Sequence, residues 1–424
     1  MSRVPDDDGH EKKRGNAMTT RRLMLATALL AASGFAACTR AAWAEDTVKV
    51  GVLNDISGVN SSSSGMGSVL AAQMAAEDFM AEAGPGGAKV SVVFADHQNK
   101  ADIGAQIVRQ WIDKDGVDAV VDLPNSAVAL AVNQVMREKD RAFLASSTAT
   151  SDLTSKFCAA TTVQWTFDTW ALANGTATAL VKQGGDSWYF ITSDYAFGHA
   201  LERDATDVVT QAGGHVVGHS FTPLDTTDMS SYLLQAQASK AKVVGLAQGG
   251  TDLWNLVKQA GEFGIGRDSQ KLTGLLVFIA DVDSIGLQQA QGLLLTSAFY
   301  WDLNDSTRAW SKRFSARFNG KPPTMNHAGV YSSTLAFLKA QAVAKSRSGT
   351  AIVAQMEAAP FTDPLFGRMS VRKDGRAVHD MYLFQVKTPA ESKSRWDVYK
   401  LVETIPADRA FRPMAQGACP LVKG

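Results

Sequence analysis

The sequence is poor in cysteine, in net charge and in long apolar segments. It has three cysteines among 424 residues, and 42 basic residues balance 42 acidic ones. A chain without excess charge has no electrostatic preference for nucleic acid or for an anionic membrane surface, so we expect neither as a partner. The cysteines do not follow the spacing of zinc ligands, and the histidines are scattered. We therefore predict no metal site and no nucleic-acid-binding role.

Motifs of common enzyme classes are also missing. The chain has no G-x-S-x-G elbow, no H-E-x-x-H pair and no G-x-x-x-x-G-K-[ST] loop. Gly65-Met66-Gly67 lacks the rest of a dinucleotide-binding fingerprint and is interpreted as a loop-shaping segment. The sequence therefore predicts a protein that is not an enzyme and that needs no cofactor.

One short apolar run stands near the N-terminus. Residues 23–37 read LMLATALLAASGFAA, with Arg21-Arg22 before them and Ala42-Trp43-Ala44 after them. A basic segment, a short apolar segment and an A-x-A site are typical of a secretory signal peptide, here residues 1–44. Spanning a membrane takes about 20 apolar residues, so the run is short for that purpose. We predict cleavage before Glu45 and a periplasmic mature chain; the alternatives are an uncleaved anchor and lipidation of Cys38, and the export route, general or twin-arginine, stays open.

Two cysteines, Cys158 and Cys419, remain in the predicted mature chain. An even number of cysteines in an oxidising compartment favours a disulfide, and two unpaired buried thiols are the alternative. The predicted bond would tie the C-terminus to the middle of the chain.

Strand-like and helix-like patterns alternate through two similar halves. The apolar runs are VKVGVL (48–53), VSVVFAD (90–96), VDAVVDL (117–123) and RAFLASS (141–147), then SWYFITS (187–193), HVVGHSF (215–221), KVVGLAQ (242–248) and LTGLLVF (272–278). Helical periodicity separates them, which predicts parallel sheets with helices on both faces. The mature length of about 380 residues exceeds one hydrophobic core, so we expect two lobes.

Polar loops follow several of these strands. In the first half they hold Ser61 to Ser64, Asn125-Ser126 and Ser146 to Thr150; in the second half they hold Asp194 to Gly198 and Gln248 to Asp252. Ligands of open α/β sheets bind at the carboxyl ends of strands, and helix N-termini bind carboxylates. The alternative for Ser126 and Ser151 is simple helix capping. The pattern predicts a cleft for a small zwitterion or an aromatic acid.

Over residues 47–424 the chain resembles the type I periplasmic solute-binding proteins of ABC importers, in the branched-chain amino-acid and amide group. The resemblance rests on VKVGVLNDISG (48–58), AAQMAAEDF (71–79), SSTATSDLT (146–154), DYAFG (194–198), LVKQAGEFG (256–264), FYWD (299–302) and AGVYSS (328–333). It implies an α/β fold with two Rossmann-like lobes, whose parallel sheets are joined by three hinge crossovers. Lobe 1 would comprise residues 45–166 plus 298–368, and lobe 2 residues 167–297 plus 369–424.

The same resemblance implies a set of ligand-binding residues. The carboxylate would bind in lobe 1, aromatic rings would pack on the ligand, and Asp252 would hold an ammonium where family members often have glutamate. The implied residues are Ser63, Asn125, Ser126, Ser147, Thr148, Ala149, Tyr195, Phe197, Asp252 and Tyr331.

The resemblance further implies a function. The chain would be the extracytoplasmic solute-binding component of an ABC importer, which traps a small amino acid, amide or carboxylic acid between its lobes. It would act as a monomer and deliver the solute to a permease in the inner membrane. The alternative is a periplasmic ligand sensor for a membrane receptor, and a secreted enzyme is the third hypothesis.

Overall fold

The computed structural model describes residues 47–84, 87–266 and 270–422. The predicted signal peptide, residues 1–44, lies outside the described residues. Within the described ranges, no helix combines the length and the apolar character that a membrane crossing requires.

A five-stranded parallel sheet forms the first half of the described chain. Its order is β2-β1-β3-β4-β5. The strands are β1 (Val48–Asn54), β2 (Val90–Asp96), β3 (Ala119–Asp122), β4 (Ala142–Ala145) and β5 (Thr162–Gln164). The central strands β1 and β3 are valine-rich and buried except at Lys49, because helices cover both faces, as parallel sheets require.

A four-stranded parallel sheet, with the order β7-β6-β8-β9, forms the second half. Its strands are β6 (Ser187–Ser193), β7 (His215–Thr222), β8 (Val243–Ala247) and β9 (Lys271–Gly274). The predicted parallel-sheet α/β architecture is therefore confirmed. The lobe boundaries given above stay a prediction.

Thirteen α-helices occur among the described residues. They are α1 (Gly65–Ala83), α2 (Ala101–Gln110), α3 (Ser126–Glu138), α4 (Thr169–Lys182), α5 (Ala196–Gln211), α6 (Ser230–Ala238), α7 (Gly250–Ala260), α8 (Ile279–Ile285), α9 (Leu287–Ala290), α10 (Asp305–Arg317), α11 (Met325–Ala344), α12 (Gly349–Glu357) and α13 (Ala407–Ala410). Most of them connect consecutive strands, as the right-handed crossover rule leads one to expect.

The C-terminal part adds antiparallel strands. One three-stranded sheet joins β10 (Leu294–Ser297) to β14 (Met381–Val386) and β15 (Tyr399–Ile405), and a smaller one joins β11 (Phe361–Asp363), β12 (Gly367–Val371) and β13 (Ala377–Val378). The predicted strand at 272–278 is too long, since the chain leaves the sheet after Gly274. Residues 275–278 are apolar and buried without pairing as a strand, so their composition could not separate them from β9.

The predicted disulfide between Cys158 and Cys419 is present, with the two Cα atoms 5.6 Å apart. Other contacts hold the same C-terminal segment in place. The Arg412 guanidinium lies 2.6 Å from an Asp204 carboxyl oxygen, and the N–H of Ala418 donates to the Ser155 hydroxyl at 3.1 Å. The bond therefore reinforces a segment that is already packed.

Candidate functional site

The carboxyl ends of the two parallel sheets carry the polar loops that the sequence singled out. The loop after β1 reaches the start of α7 in the second half. A Cβ atom added to Gly250 would lie 2.2 Å from the carbonyl oxygen of Val59, and Gly250 itself has φ +59. Only glycine allows this close approach with this backbone conformation. The loops of the two sheets are therefore in direct contact.

Asp252 lies on the first turn of α7 and is 1% exposed. Its Oδ2 accepts a hydrogen bond from the N–H of Asp225 at 3.2 Å, and its Oδ1 has no hydrogen-bond partner among the described residues. Burial raises the pKa of Asp252 to about 6, and the nearby Asp225 carboxylate adds to the rise. A buried carboxylate oxygen without a donor is a strong acceptor for a ligand ammonium.

Two aromatic residues lie close to this carboxylate. The rings of Tyr195 and Phe197 are 5.8 Å apart at the start of α5, and Phe197 is buried. Burial raises the pKa of the Tyr195 phenol, and the carboxylates of Asp252 and Asp55 raise it further. The structure thus brings Tyr195, Phe197 and Asp252 together, and it adds Asp55 from the loop after β1.

Three of the implied lobe 1 residues use their side chains in local structure. Asn125 caps α3 by accepting from the N–H groups of Ala127 and Val128. The Ser126 hydroxyl accepts from the N–H of Thr150, and the Thr148 hydroxyl donates to the carbonyl of Leu123. These contacts use part of the hydrogen-bonding capacity of the three side chains, and their role in ligand binding stays a prediction. The helix cap is Asn125 rather than Ser126.

The other implied lobe 1 residues differ in their surroundings. Ser63 donates to the carbonyl of Asn60 at 3.1 Å, and Ala149 is buried and offers only backbone groups. Ser147 is 2% exposed, and its hydroxyl lies beside the carboxyl group of Asp122 and lowers the pKa of that group.

Tyr331 packs between neighbouring helices, and its predicted role in ligand binding stays a prediction. Its hydroxyl donates to Asp78 on α1 at 2.7 Å, and its ring lies 5.1 Å from that of Trp310 on α10. The motif AGVYSS (328–333) suggested Tyr331 as a site residue. On α11 its phenol contacts α1 and α10.

Asp122 is a polar residue of this region that the sequence reasoning missed. It ends β3 with φ +83, and Leu123 follows with φ +60. Two consecutive non-glycine residues with positive φ cost about 1–3 kcal/mol each. Asp122 is fully buried, and burial raises its pKa to about 7. An acidic residue as the last residue of a buried apolar run was the signal that could have found it.

Among the described residues, no cluster of metal-ligating side chains marks these strand ends. In the part of the chain that the structure describes, no group of three or more histidine, cysteine or acidic side chains could hold a metal ion. A cavity of about 760 Å³ lies at the opposite edge of the second sheet, where Lys271 begins β9 and Leu294 begins β10. The convergence of loops, and not cavity size, therefore identifies the candidate site.

Comparison with known proteins places this geometry in a family. The family model for "Periplasmic binding protein" matches residues 47–393. The chain belongs to the periplasmic binding protein family. A crystal structure of a periplasmic binding protein from Burkholderia mallei is 44% identical, with a TM-score of 0.85, and the match covers 89% of this chain and 99% of that one.

Two further relatives agree with this assignment. A branched chain amino acid ABC transporter periplasmic ligand-binding protein from Burkholderia xenovorans LB400 is 36% identical, with a TM-score of 0.79, over 88% of this chain and all of that one. The Leu/Ile/Val-binding protein homolog 6 of Brucella abortus is 28% identical over 280 residues, which are 63% of this chain and 68% of that protein. The first of these relatives is named as a ligand-binding protein of an ABC transporter and the second as a Leu/Ile/Val-binding protein homolog, so the predicted fold class and the predicted non-enzymatic class are confirmed.

In a periplasmic binding protein the contact between loops bears on ligand binding, because the two halves close around the solute. We expect Gly250→Ala to weaken ligand affinity about tenfold or more, since the new methyl group would meet the Val59 carbonyl only when the loops touch. Ligand affinity is measured by calorimetry, and the melting temperature of each variant is measured alongside it. The control is Gly249→Ala, whose added Cβ would have its nearest neighbour at 3.7 Å. Equal affinities for the two variants would contradict the prediction.

Proposed function

We propose that this chain is the periplasmic solute-binding component of an ABC importer. It traps a small solute that carries an amino group, an amino acid in the first place, between its two lobes and delivers it to an inner-membrane permease. Amides and carboxylic acids are the other classes of small solute that the proposal includes. The proposal extends the family assignment to a ligand class and to a transport partner.

The observation that carries the proposal is the carboxylate of Asp252. Its Oδ1 is buried and has no hydrogen-bond partner among the described residues, beside the rings of Tyr195 and Phe197. The Ser147 hydroxyl, also buried, follows β4 at the carboxyl end of the first sheet and lies beside the Asp122 carboxyl group. An ammonium group at Asp252, polar groups at the first sheet and an aromatic wall suit a small amino acid. Binding would then shift the protein toward its closed form.

The experiment is a ligand screen on the chain that begins at Glu45. Thermal shift is measured with amino acids, short amides and aromatic acids, and each positive result is followed by calorimetry. A ligand at 100 times its dissociation constant adds about 2.7 kcal/mol of stability, which such a screen detects. We expect the strongest shift from an amine-bearing solute. Binding of amine-free acids alone would contradict the ligand class and remove Asp252 from the site.

A further inference from the structure

One asparagine side chain links three loops at the carboxyl edge of the first sheet. Asn99, in the loop after β2, donates from its amide nitrogen to the Asp55 carboxylate at 2.9 Å. Its amide oxygen accepts from the side-chain amide of Asn125 at 3.1 Å, and Asn125 in turn caps α3. The loops after β1, β2 and β3 are therefore joined by one chain of hydrogen bonds that runs from Asp55 through Asn99 to Asn125.

The direction of these hydrogen bonds is fixed at both ends. An ionised carboxylate only accepts, so the NH2 group of Asn99 faces Asp55. The N–H groups at the start of α3 only donate, so the amide oxygen of Asn125 faces the helix and its NH2 group faces Asn99. Asn99 also has φ +55, a left-handed conformation that asparagine and aspartate tolerate better than most residues. Position 99 therefore needs a donor, an acceptor and this backbone conformation at once.

The carboxylate of Asp55 organises the loop after β1. It is fully buried, and it accepts from the N–H groups of Gly58 at 2.7 Å and Asn60 at 2.9 Å. The Gly58 backbone packs onto the bond between Asp55 and Asn99, because an added Cβ atom would lie 2.6 Å from the Asn99 amide nitrogen and from a carboxyl oxygen. Loss of the Asn99 donor would therefore be felt at Val59, the next residue along the chain.

Val59 is the residue of this loop that meets the second half of the described chain. Its carbonyl oxygen faces Gly250 at the start of α7, and Asp252 lies on the first turn of the same helix. The contacts from Asn99 through Asp55 to Val59 thus lead from the loop after β2 to the helix that carries the candidate ammonium partner.

We propose that Asn99 is a positioning residue for solute binding. It holds the loop after β1 in the conformation in which Val59 meets Gly250, so it acts on affinity through the contact between the two halves and not through the solute. The inference rests on the function proposed above in one respect, that a solute binds between the halves. It applies to any class of solute that does so.

The test is a double-mutant cycle on solute affinity. Asn99→Asp keeps the side-chain size and tolerates the left-handed backbone, but it replaces the donor by a second carboxylate opposite Asp55. We expect it to weaken affinity about tenfold or more. In the Gly250→Ala background, where the contact with Val59 is already disturbed, the same change should weaken affinity less than about threefold. Calorimetry on the chain from Glu45 measures the four affinities, with the solute that gives the largest shift in the ligand screen.

A second variant and a matched control separate positioning from stability. Asn99→Gly accepts the positive φ and removes both hydrogen bonds without adding charge, so it should weaken affinity with the same dependence on residue 250. The control is Asn133→Asp on α3. The Asn133 amide donates to the carbonyl of Phe157 at 2.8 Å and accepts from the hydroxyl of Thr162 at 2.6 Å, where β5 begins at the opposite edge of the sheet. This variant should lower the melting temperature and change affinity less than about twofold.

Three results would contradict the inference. They are an affinity that Asn99→Asp leaves unchanged, a loss that is equal in the presence and absence of Gly250→Ala, and an equal loss in Asn133→Asp. Failure of the proposed function is a different result. If only amine-free solutes bind, the proposed ligand class is wrong, and the cycle measured with such a solute still tests Asn99 in the same way.

Discussion

Replacing Asp252 by asparagine is expected to weaken the binding of an amine-bearing solute roughly 30-fold or more. Removing one partner of a buried, hydrogen-bonded charge pair costs about 2–5 kcal/mol, and each 1.4 kcal/mol is about a factor of ten in affinity. Asparagine retains an oxygen for the N–H of Asp225, so the turn around residue 225 is preserved. The loss should therefore reflect the charge itself, measured as a calorimetric dissociation constant.

The same carboxylate predicts how affinity depends on pH. The pKa of Asp252 is raised to about 6, so below that pH the group is protonated in the free protein and must lose its proton to bind an ammonium. Affinity is expected to fall as the pH drops through about 6 and to be constant above it. The Asp252→Asn variant should lack this decline, because it has no carboxyl to titrate.

A matched control is Asp207→Asn, which removes an exposed carboxylate from α5 in the same half of the chain. Its affinity and pH profile should match those of the unchanged protein. If an amino acid binds the unchanged protein and binds Asp252→Asn equally tightly, then Asp252 is not the ammonium partner.

Removal of the Cys158–Cys419 disulfide is expected to lower the free energy of unfolding by about 2–5 kcal/mol. The bond joins residues 261 positions apart, so without it the unfolded chain gains many conformations. The double variant Cys158→Ala with Cys419→Ala leaves no stray thiol at these buried positions. Chemical denaturation measures the change, and the slope against denaturant should rise because the unfolded chain becomes less compact.

Reductant provides the control for this prediction. Reduction of the unchanged protein should reproduce the denaturation midpoint of the double variant, and the double variant should not respond to reductant. The ion pair of Arg412 with Asp204 and the contact of Ala418 with Ser155 remain in both cases. A midpoint that neither substitution nor reduction changes would show that the bond contributes no stability.

Strand positions were the most predictable part of this protein. β1, β2 and β6 lie within one residue of the predicted runs, because a buried parallel strand is a short apolar segment bounded by polar loops. β5 and α8 were missed. β5 has three residues, too few for a period, and α8 follows apolar residues that are buried as coil.

The sequence could predict that the implied site residues lie at strand ends, while their role in ligand binding stays a prediction. Asp252, Tyr195 and Phe197 gather as expected, since they follow neighbouring parallel strands. Asn125 and Thr148 have residue types that are common in ligand contacts. In the structure their side chains form hydrogen bonds with nearby backbone groups. Residue type shows which bonds a side chain is able to make, and competition with local backbone groups decides which bonds it makes.

The sequence by itself predicted the parallel sheets, the edge at which their polar loops lie and, as the favoured of two alternatives, the pairing of Cys158 with Cys419. These follow from periodicity, from order along the chain and from cysteine number, which are local or countable properties. Tertiary structure alone decided that Tyr331 turns to Asp78, that Gly250 meets Val59 and that Asp122 is fully buried. Each of these depends on groups brought together from distant parts of the chain, because a hydrogen-bond partner or a steric contact exists only once both elements are packed.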